Sequence, residues 1–283
     1  MKFGVYSIMS WTTKDDNEDG ANFLLKLGEE AEQAGWDGFF LWDHLIFPWD
    51  IPIAEPYMVL ASLAAKTKKI TLGTQVTPIP RRRPQVLARQ LTTLDHLSHG
   101  RIILGAGLGG TGHDYTKFGE EHDYRILAQK ADEALQVITG LWSGKPFNFQ
   151  GRHYRVNDAT FLPTPVQKPR IPIWIGGTSR AALRRAAKYD GWATGGPCPS
   201  AKDPGMTLEQ TSQRRHQIMK LRHAKTPLDI VYSLEIPEDR DKVKELVREA
   251  EKAGITWICE HIFGWRCSPE KALEIVRKGP PQA

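Results

Sequence analysis

Two proton-bearing residues arrive together where an apolar run ends. In GFFLWDHLIFPWD (38–50), five residues of buried-strand character give way to Asp43 and His44, with Trp49 close behind. An imidazole titrates near neutrality and can move a proton at a reacting edge, and a neighbouring carboxylate can orient the ring. A loop that simply reaches water ends in the same residue types, so the pair alone leaves both readings open. A second candidate is the turn IGGTS, where Gly176 and Gly177 end a strand and Thr178 and Ser179 open a helix. Amides and dipole at a helix start attract an anion. A serine or threonine there is equally suited to capping the helix.

Positioning such groups requires a scaffold, and the chain alternates β-rich runs with helical patterns. Strand-like runs fall at 2–9, 37–42, 69–77, 101–107, 171–177, 191–195, 228–236 and 255–262. Between them, residues 19–34 place Phe23, Leu24, Leu27, Ala31 and Ala34 on one helical face, and residues 84–98 repeat the pattern after Pro84. Eight such alternations in 283 residues predict an α/β protein, a (β/α)₈ TIM barrel typically about 250 residues long. A doubly wound open sheet is the other arrangement of this rhythm, but no GxGxxG follows the first strand. One stretch interrupts the rhythm. PFNFQGRHYRV alternates around Gln150-Gly151 as a β-hairpin does, and Pro163, Pro165 and Pro169 suit an extended strap. We therefore expect one barrel domain over 1–283, carrying a hairpin-containing insertion at about 144–170.

A barrel gathers its chemistry at the C-terminal ends of its strands. Those ends read Trp42-Asp43-His44, Val76-Thr77-Pro78, Gly105-Ala106-Gly107, Gly176 to Ser179, Gly195-Gly196, Glu235 and Glu260-His261. Glycine, aromatic and hydroxyl residues dominate, a mixture suited to a planar aromatic cofactor rather than to a metal. Loops 44–55, 108–124 and 196–206 would line a partly apolar substrate pocket. The charge balance of 38 − 33 = +5 is too diffuse to argue for nucleic acid. Cys198, Cys259 and Cys267 show no CxxC spacing, which fits a reduced cytoplasmic protein. No apolar run approaches the roughly 20 residues of a membrane span, and the N-terminus reads as a first strand rather than a signal peptide.

Taken together, AEQAGWDGFFLWDH (31–44), KITLGTQVTPIPRRRPQVLARQLTTLDHLSHGRIILGAGLG (69–109), GRHYRV (151–156) and PRIPIWIGGTS (169–179) resemble the bacterial luciferase-like flavin-dependent oxidoreductases, which include coenzyme F420 enzymes. The resemblance covers residues 1 to about 195. It implies a (β/α)₈ barrel with an insertion, and FMN or coenzyme F420 as cofactor. It places a non-proline cis bond at Gln75-Val76, so that Thr74, Gln75, Val76 and Thr77 support the cofactor ring, with Gly105 and Gly107 beside it. It puts the cofactor phosphate on Gly176, Gly177, Thr178 and Ser179, and sets His44 at the reactive edge with Asp43 and an aromatic wall at Trp49. It further implies a homodimer, a small-molecule substrate and, with FMN, a flavin reductase partner. Leu108 stands where sugar-phosphate dehydrogenases of this group carry a glutamate, which counts against that activity. Arg81, Arg82 and Arg83 could meet an anionic tail or form a solvated basic loop. Two other classes compete: a metal-dependent hydrolase using Asp43, His44, Glu260 and His261, and a flavin-binding protein without catalysis.

Overall fold

The computed structural model describes residues 1–11, 20–47, 50–110 and 112–281. In chain order the elements are β1 (Lys2–Ser7), α1 (Gly20–Gln33), β2 (Gly38–Leu41), α2 (Pro56–Lys66), β3 (Thr71–Thr74), β4 (Thr77–Pro78) and α3 (Pro84–Leu97). Next come β5 (Ile102–Gly107), α4 (His113–Thr116), α5 (Tyr124–Leu141), β6 (Phe147–Gln150) and β7 (Arg155–Ala159). The chain continues through β8 (Ile173–Gly176), α6 (Arg180–Ala186), β9 (Gly191–Gly195), α7 (Leu208–Leu221), β10 (Asp229–Leu234), α8 (Arg240–Ala253), β11 (Trp257–Ile262) and α9 (Pro269–Arg277).

The strands β1, β2, β3, β5, β8, β9, β10 and β11 pair side by side in parallel, and β11 returns to β1 to close the ring. This is the (β/α)₈ barrel expected from the alternation. Its interior is packed, not hollow. Phe40, Trp174 and Trp257 are buried with ring centroids 5.1–5.6 Å apart, and Trp257 opens β11 while Trp174 is the second residue of β8. Three large rings fit because their neighbours are small: a Cβ on Gly191 would lie 2.2 Å from the Trp174 ring. The larger apolar cluster lies outside the ring, between strands and helices. Leu24, Leu27 and Ala31 of α1 and Leu87, Leu91 and Leu94 of α3 belong to it.

The third strand is interrupted. Gly73 pairs with Ile103, but Thr77 pairs with Ala106, so three residues of one strand face two of the other. The extra residue is a bulge, and within it the Gln75-Val76 peptide is cis. The run 69–77 expected as one strand is therefore two short ones. In the interrupting segment β6 and β7 form the expected antiparallel hairpin, and the prolines beyond include cis bonds at Pro163 and Pro169. The hairpin loop covers 151–154, wider than a tight Gln150-Gly151 turn, because the Glu133 carboxylate accepts from the amides of Arg152, His153 and Tyr154 at 2.8–3.1 Å.

Gly105 is where the bulge presses hardest on its neighbour: a Cβ there would stand 1.9 Å from the Thr74 carbonyl oxygen. Backbone cannot step aside cheaply, so Gly105→Ala should lose about 1–3 kcal/mol or more of folding stability, as overpacked cores do. Gly110→Ala, where a Cβ meets nothing within 4 Å, should stay within about 0.5 kcal/mol of the parent. Chemical denaturation of both variants checks the contrast.

Candidate active site

The C-terminal strand ends enclose a cavity of about 360 Å³, floored by Gln75, Val76 and Ser233 and walled by Tyr6, Trp42 and His261. A second cavity of about 630 Å³ continues from it, and Val76, Gly176, Gly177 and Thr178 line both. Three buried polar atoms at the first cavity have no hydrogen-bond partner: Trp42 Nε1, Gln75 Oε1 and His261 Nδ1. Burying such atoms unpaired is costly, so the cavity offers three polar groups that a bound molecule or water would pair. The other Gln75 atom is engaged, Nε2 donating to Ser233 Oγ at 2.5 Å, which aims the free Oε1.

His261 lies under the aromatic wall, its ring 4.7 Å from Phe263 and 5.3 Å from Tyr6. Burial lowers its pKa to about 3, so the ring is neutral and offers one donor and one acceptor. The adjacent Glu260 turns the other way. It meets the Arg266 guanidinium and the Ile236 amide, and burial pushes its pKa up to about 7 against the pull of Arg266. Among the described residues no group of three or more His, Cys, Asp or Glu is placed to hold a metal ion. The residues invoked for a metal hydrolase point to different places.

Asp43 and His44, adjacent in sequence, separate in the structure. Asp43 is buried, and its carboxylate is filled by two arginines: Arg81 Nη2 contacts Oδ1, while Arg82 donates to Oδ2 from Nε at 2.9 Å and to Oδ1 from Nη2 at 2.8 Å. Its contacts are those of an anchor for the end of β2, not of a proton carrier in the cavity. Arg81 and Arg82 are thus held by Asp43 rather than forming a solvated loop, and both also line a groove beside the hairpin. Arg83 is exposed. His44 instead pairs with Asp114: His44 Nδ1 and Asp114 Oδ2 are 2.7 Å apart, and the amides of Leu45 and Ile46 donate to Oδ1 at 2.8 and 3.1 Å. Arg81 Nη1 lies 3.1 Å from the same carboxylate. Burial opposes ionisation of Asp114, but these hydrogen bonds outweigh it and hold its pKa below the ordinary 3.8. An ionised carboxylate only accepts, so His44 Nδ1 carries the proton that Asp114 takes, and Nε2 is the ring nitrogen left outside that bond. The His44 ring sits 5.4 Å from that of Trp42, which lines the cavity; His44 is not itself among the lining residues.

The remaining expected residues fall into two groups. Gln75, Val76, Gly107, Gly176, Gly177, Thr178 and Ser179 line one or both cavities. Thr74, Thr77 and Gly105 do not. Tyr57 and Thr77 hydroxyls are 2.7 Å apart, Thr77 donates to Thr74 at 2.9 Å, and Thr74 to the Gly105 carbonyl at 3.3 Å, a buried chain that braces the bulge from behind. Ser179 does cap α6, accepting from the Ala182 amide at 3.2 Å. Gly177 has φ +102°, a conformation that side-chain-bearing residues rarely adopt, and its carbonyl accepts from Trp192 Nε1 at 2.8 Å. Trp49 lies outside the described residues. Asp114, Ser233, Phe263 and Trp265 carry no local sequence signal that marks them for this region. Asp114 sits 70 residues from His44, on a four-residue helix without periodicity to reveal it.

A closed parallel barrel whose mouth is built around a cis bulge, an imidazole–carboxylate pair and a two-lobed cavity invites comparison with known proteins. The model of the luciferase-like monooxygenase family matches residues 1–214, and the chain belongs to that family. It is 37% identical over 198 residues to an F420-dependent glucose-6-phosphate dehydrogenase of Microbacterium testaceum, an alignment covering 68% of this chain and 56% of that one. It is 33% identical over 141 residues to an FMNH(2)-dependent dimethylsulfone monooxygenase of Pseudomonas putida, covering 49% of this chain and 38% of the relative. Among solved structures, an F420-dependent secondary alcohol dehydrogenase in complex with an F420–acetone adduct superposes with TM-score 0.78 at 17% identity, over 99% of this chain and 98% of that one. The coenzyme F420-dependent tetrahydromethanopterin reductase of Methanopyrus kandleri gives 0.76 at 19% identity, over 98% and 97%. Both share the fold.

Because folding lowers the Asp114 pKa, this carboxylate contributes its stability in full above pH 3.8 and loses it as pH falls through the folded value. Asp114→Asn should therefore cost about 1–3 kcal/mol at neutral pH, with the gap to the parent closing in stronger acid. Denaturant unfolding at a series of pH values measures it.

Proposed function

We propose that the chain is an oxidoreductase that binds a flavin-type cofactor, coenzyme F420 or FMN, in the mouth of the barrel and acts on a small, partly apolar organic molecule. One observation carries the proposal: the three unpartnered polar atoms of Trp42, Gln75 and His261 around a cavity whose floor is the Val76 bulge. They include a donor and an acceptor, and a flat heterocycle with both kinds of group along its edges is the ligand class that pairs them. The second cavity suits the cofactor's phosphate-bearing tail, with Gly177 bringing backbone close and Arg125 and Arg185 in its wall. Bound there, such a cofactor supplies two-electron chemistry.

The protein's own part is to bind, orient and move a proton. Val76 supports the ring from below, and Gln75, held by Ser233, fixes its edge. His44 Nε2, with Asp114 behind it, takes a proton from a substrate hydroxyl or returns one to a carbonyl oxygen. Hydride transfer with F420 is the reading this pair favours, since it moves one proton with each hydride. Oxygenation with reduced FMN is the second reading, favoured by the monooxygenase relative; it would require a flavin reductase. Oxidation of a sugar phosphate is no part of the proposal, because Leu108, half-buried against the core, stands where a glutamate is called for. The proposal takes the whole chain as one barrel domain with its 144–170 insertion, forming a homodimer in the cytoplasm. Supporting that setting, all three cysteines are free, and no helix among the described residues is long and apolar enough to cross a membrane.

Fluorescence titration with FMN and with F420 tests the reading, and saturable binding of at least one is expected. Gly177→Val should weaken that binding at least about tenfold by removing charge-assisted contacts to the phosphate. Binding of neither cofactor, or equal affinity in the variant, would overturn it. His44→Ala should leave affinity intact while slowing cofactor reduction or reoxidation by about 10²–10⁴. His44→Gln, which cannot titrate near neutrality, should fail almost as badly in the same stopped-flow measurement.

A further inference from the structure

The groove beside the hairpin takes no part in the chemistry proposed for the mouth. It has a volume of about 690 Å³ and lies between the start of α3, one face of α5 and strand β7. None of its described lining residues also lines either mouth cavity. Contacts on three sides fix its walls. The Phe147 ring of β6 packs on Gly140 of α5 so closely that a Cβ there would stand 2.1 Å from it. At the hairpin tip, the Glu133 carboxylate of α5 accepts from the amides of Arg152, His153 and Tyr154. Beyond β7, Arg89 of α3 donates to the Leu162 carbonyl at 2.7 Å and lies 3.7 Å over the Phe161 ring. Hairpin, α5 and α3 are thereby held around the space.

The two ends of the groove differ in chemistry. Near the tip its lining includes Lys130 of α5, Arg155, which pairs with Gln150 across the hairpin, and Arg83 at the start of α3. None of these three has an ion pair with another described residue. Arg83 reaches the tip electrostatically: burial and the Glu133 charge raise the Tyr154 pKa, and the Arg83 charge opposes them. Among the described residues, Glu120 is the one carboxylate in the lining. The far end is apolar. Val137 and Leu141 follow Lys130 on α5, about 10 and 16 Å further along the helix axis. Beside them Val156, Ala159 and Phe161 are half-buried and keep apolar surface open to the groove.

We propose that this groove is a second binding site and that it takes a small amphipathic carboxylate. The acid group sits among Arg83, Lys130 and Arg155, and the hydrocarbon part runs towards Val156, Ala159 and Phe161. A cleft walled by one sign of charge concentrates the opposite sign, and each charge-assisted hydrogen bond to a carboxylate is stronger than a neutral one. The apolar end stabilises hydrocarbon by removing it from water. A compact polyanion would leave that end unfilled, and an uncharged amphipath would leave the cations unmatched. The site is independent of the cofactor reading and holds whichever cofactor the mouth takes.

Isothermal titration calorimetry on the full chain, with octanoate as the probe, tests the proposal. Octanoate should bind the parent one to one. Octanol, which lacks the charge, and glutarate, which lacks the hydrocarbon end, should each bind at least about tenfold more weakly. The double variant Lys130→Gln with Arg155→Gln should lose at least about tenfold in octanoate affinity, because two charged partners of the acid group are gone. Octanoate held in the mouth of the barrel would be indifferent to these substitutions. Arg83→Gln removes no side-chain cap from α3 and supplies the same test, with a loss of about fivefold, if the pair in the hairpin region lowers the unfolding midpoint. No octanoate binding by the parent, unchanged affinity in the variants, or glutarate bound as tightly as octanoate would each overturn the assignment.

Discussion

The mouth of this barrel depends on a buried set of charges that must stay paired. Asp43 ends β2, Arg81 and Arg82 follow the bulged third strand, and Asp114 lies in the connection after β5. Each is buried or nearly so, and removing one partner from such a set leaves an uncompensated charge in a poorly hydrated place. Three connections that could otherwise move independently are thereby locked into one geometry. His44 inherits its position from that lock, since the carboxylate that holds its ring is the one Arg81 also approaches. The chemistry proposed for His44 is a property of the network before it is a property of the side chain.

The bulge is a second constraint, and it works through volume. One extra residue in the third strand drives Val76 into the mouth, and the neighbouring strands make room: a Cβ on Gly107 or Gly176 would come within 2.9 Å of the Val76 side chain. The buried hydroxyl chain from Tyr57 to Thr74 braces the same segment from the side away from the cavity. Packing in front and hydrogen bonds behind leave the floor little freedom, as a platform for a flat ligand requires.

The barrel was legible in the sequence because strand and helix periodicities are local and eight alternations admit few arrangements. The strand ends were legible for the same reason, so the region holding Gln75, Val76 and Gly176 to Ser179 could be named in advance. Who touches whom was not. Asp43 and His44 are adjacent in sequence, yet their partners lie 38, 39 and 70 residues away, and nothing in either pattern says that they part company. Gly105 illustrates another limit: a glycine that admits a ligand and one that admits a neighbouring carbonyl look identical in a string of letters. Trp265 lies in the last third of the chain, where the family resemblance fades and a three-residue turn carries no periodic signal.

The aromatic plug has a consequence for traffic. With Phe40, Trp174 and Trp257 filling the interior and the Lys2 ammonium set 4.9 Å over the Trp257 ring at the base, the barrel is a blind cup with one rim. Whatever sits deepest must arrive first and depart last. A molecule held nearer the rim would be the outer occupant, able to come and go while the inner one stays. Such a vessel favours many exchanges of the outer guest for each exchange of the inner, so one resident can serve a succession of visitors.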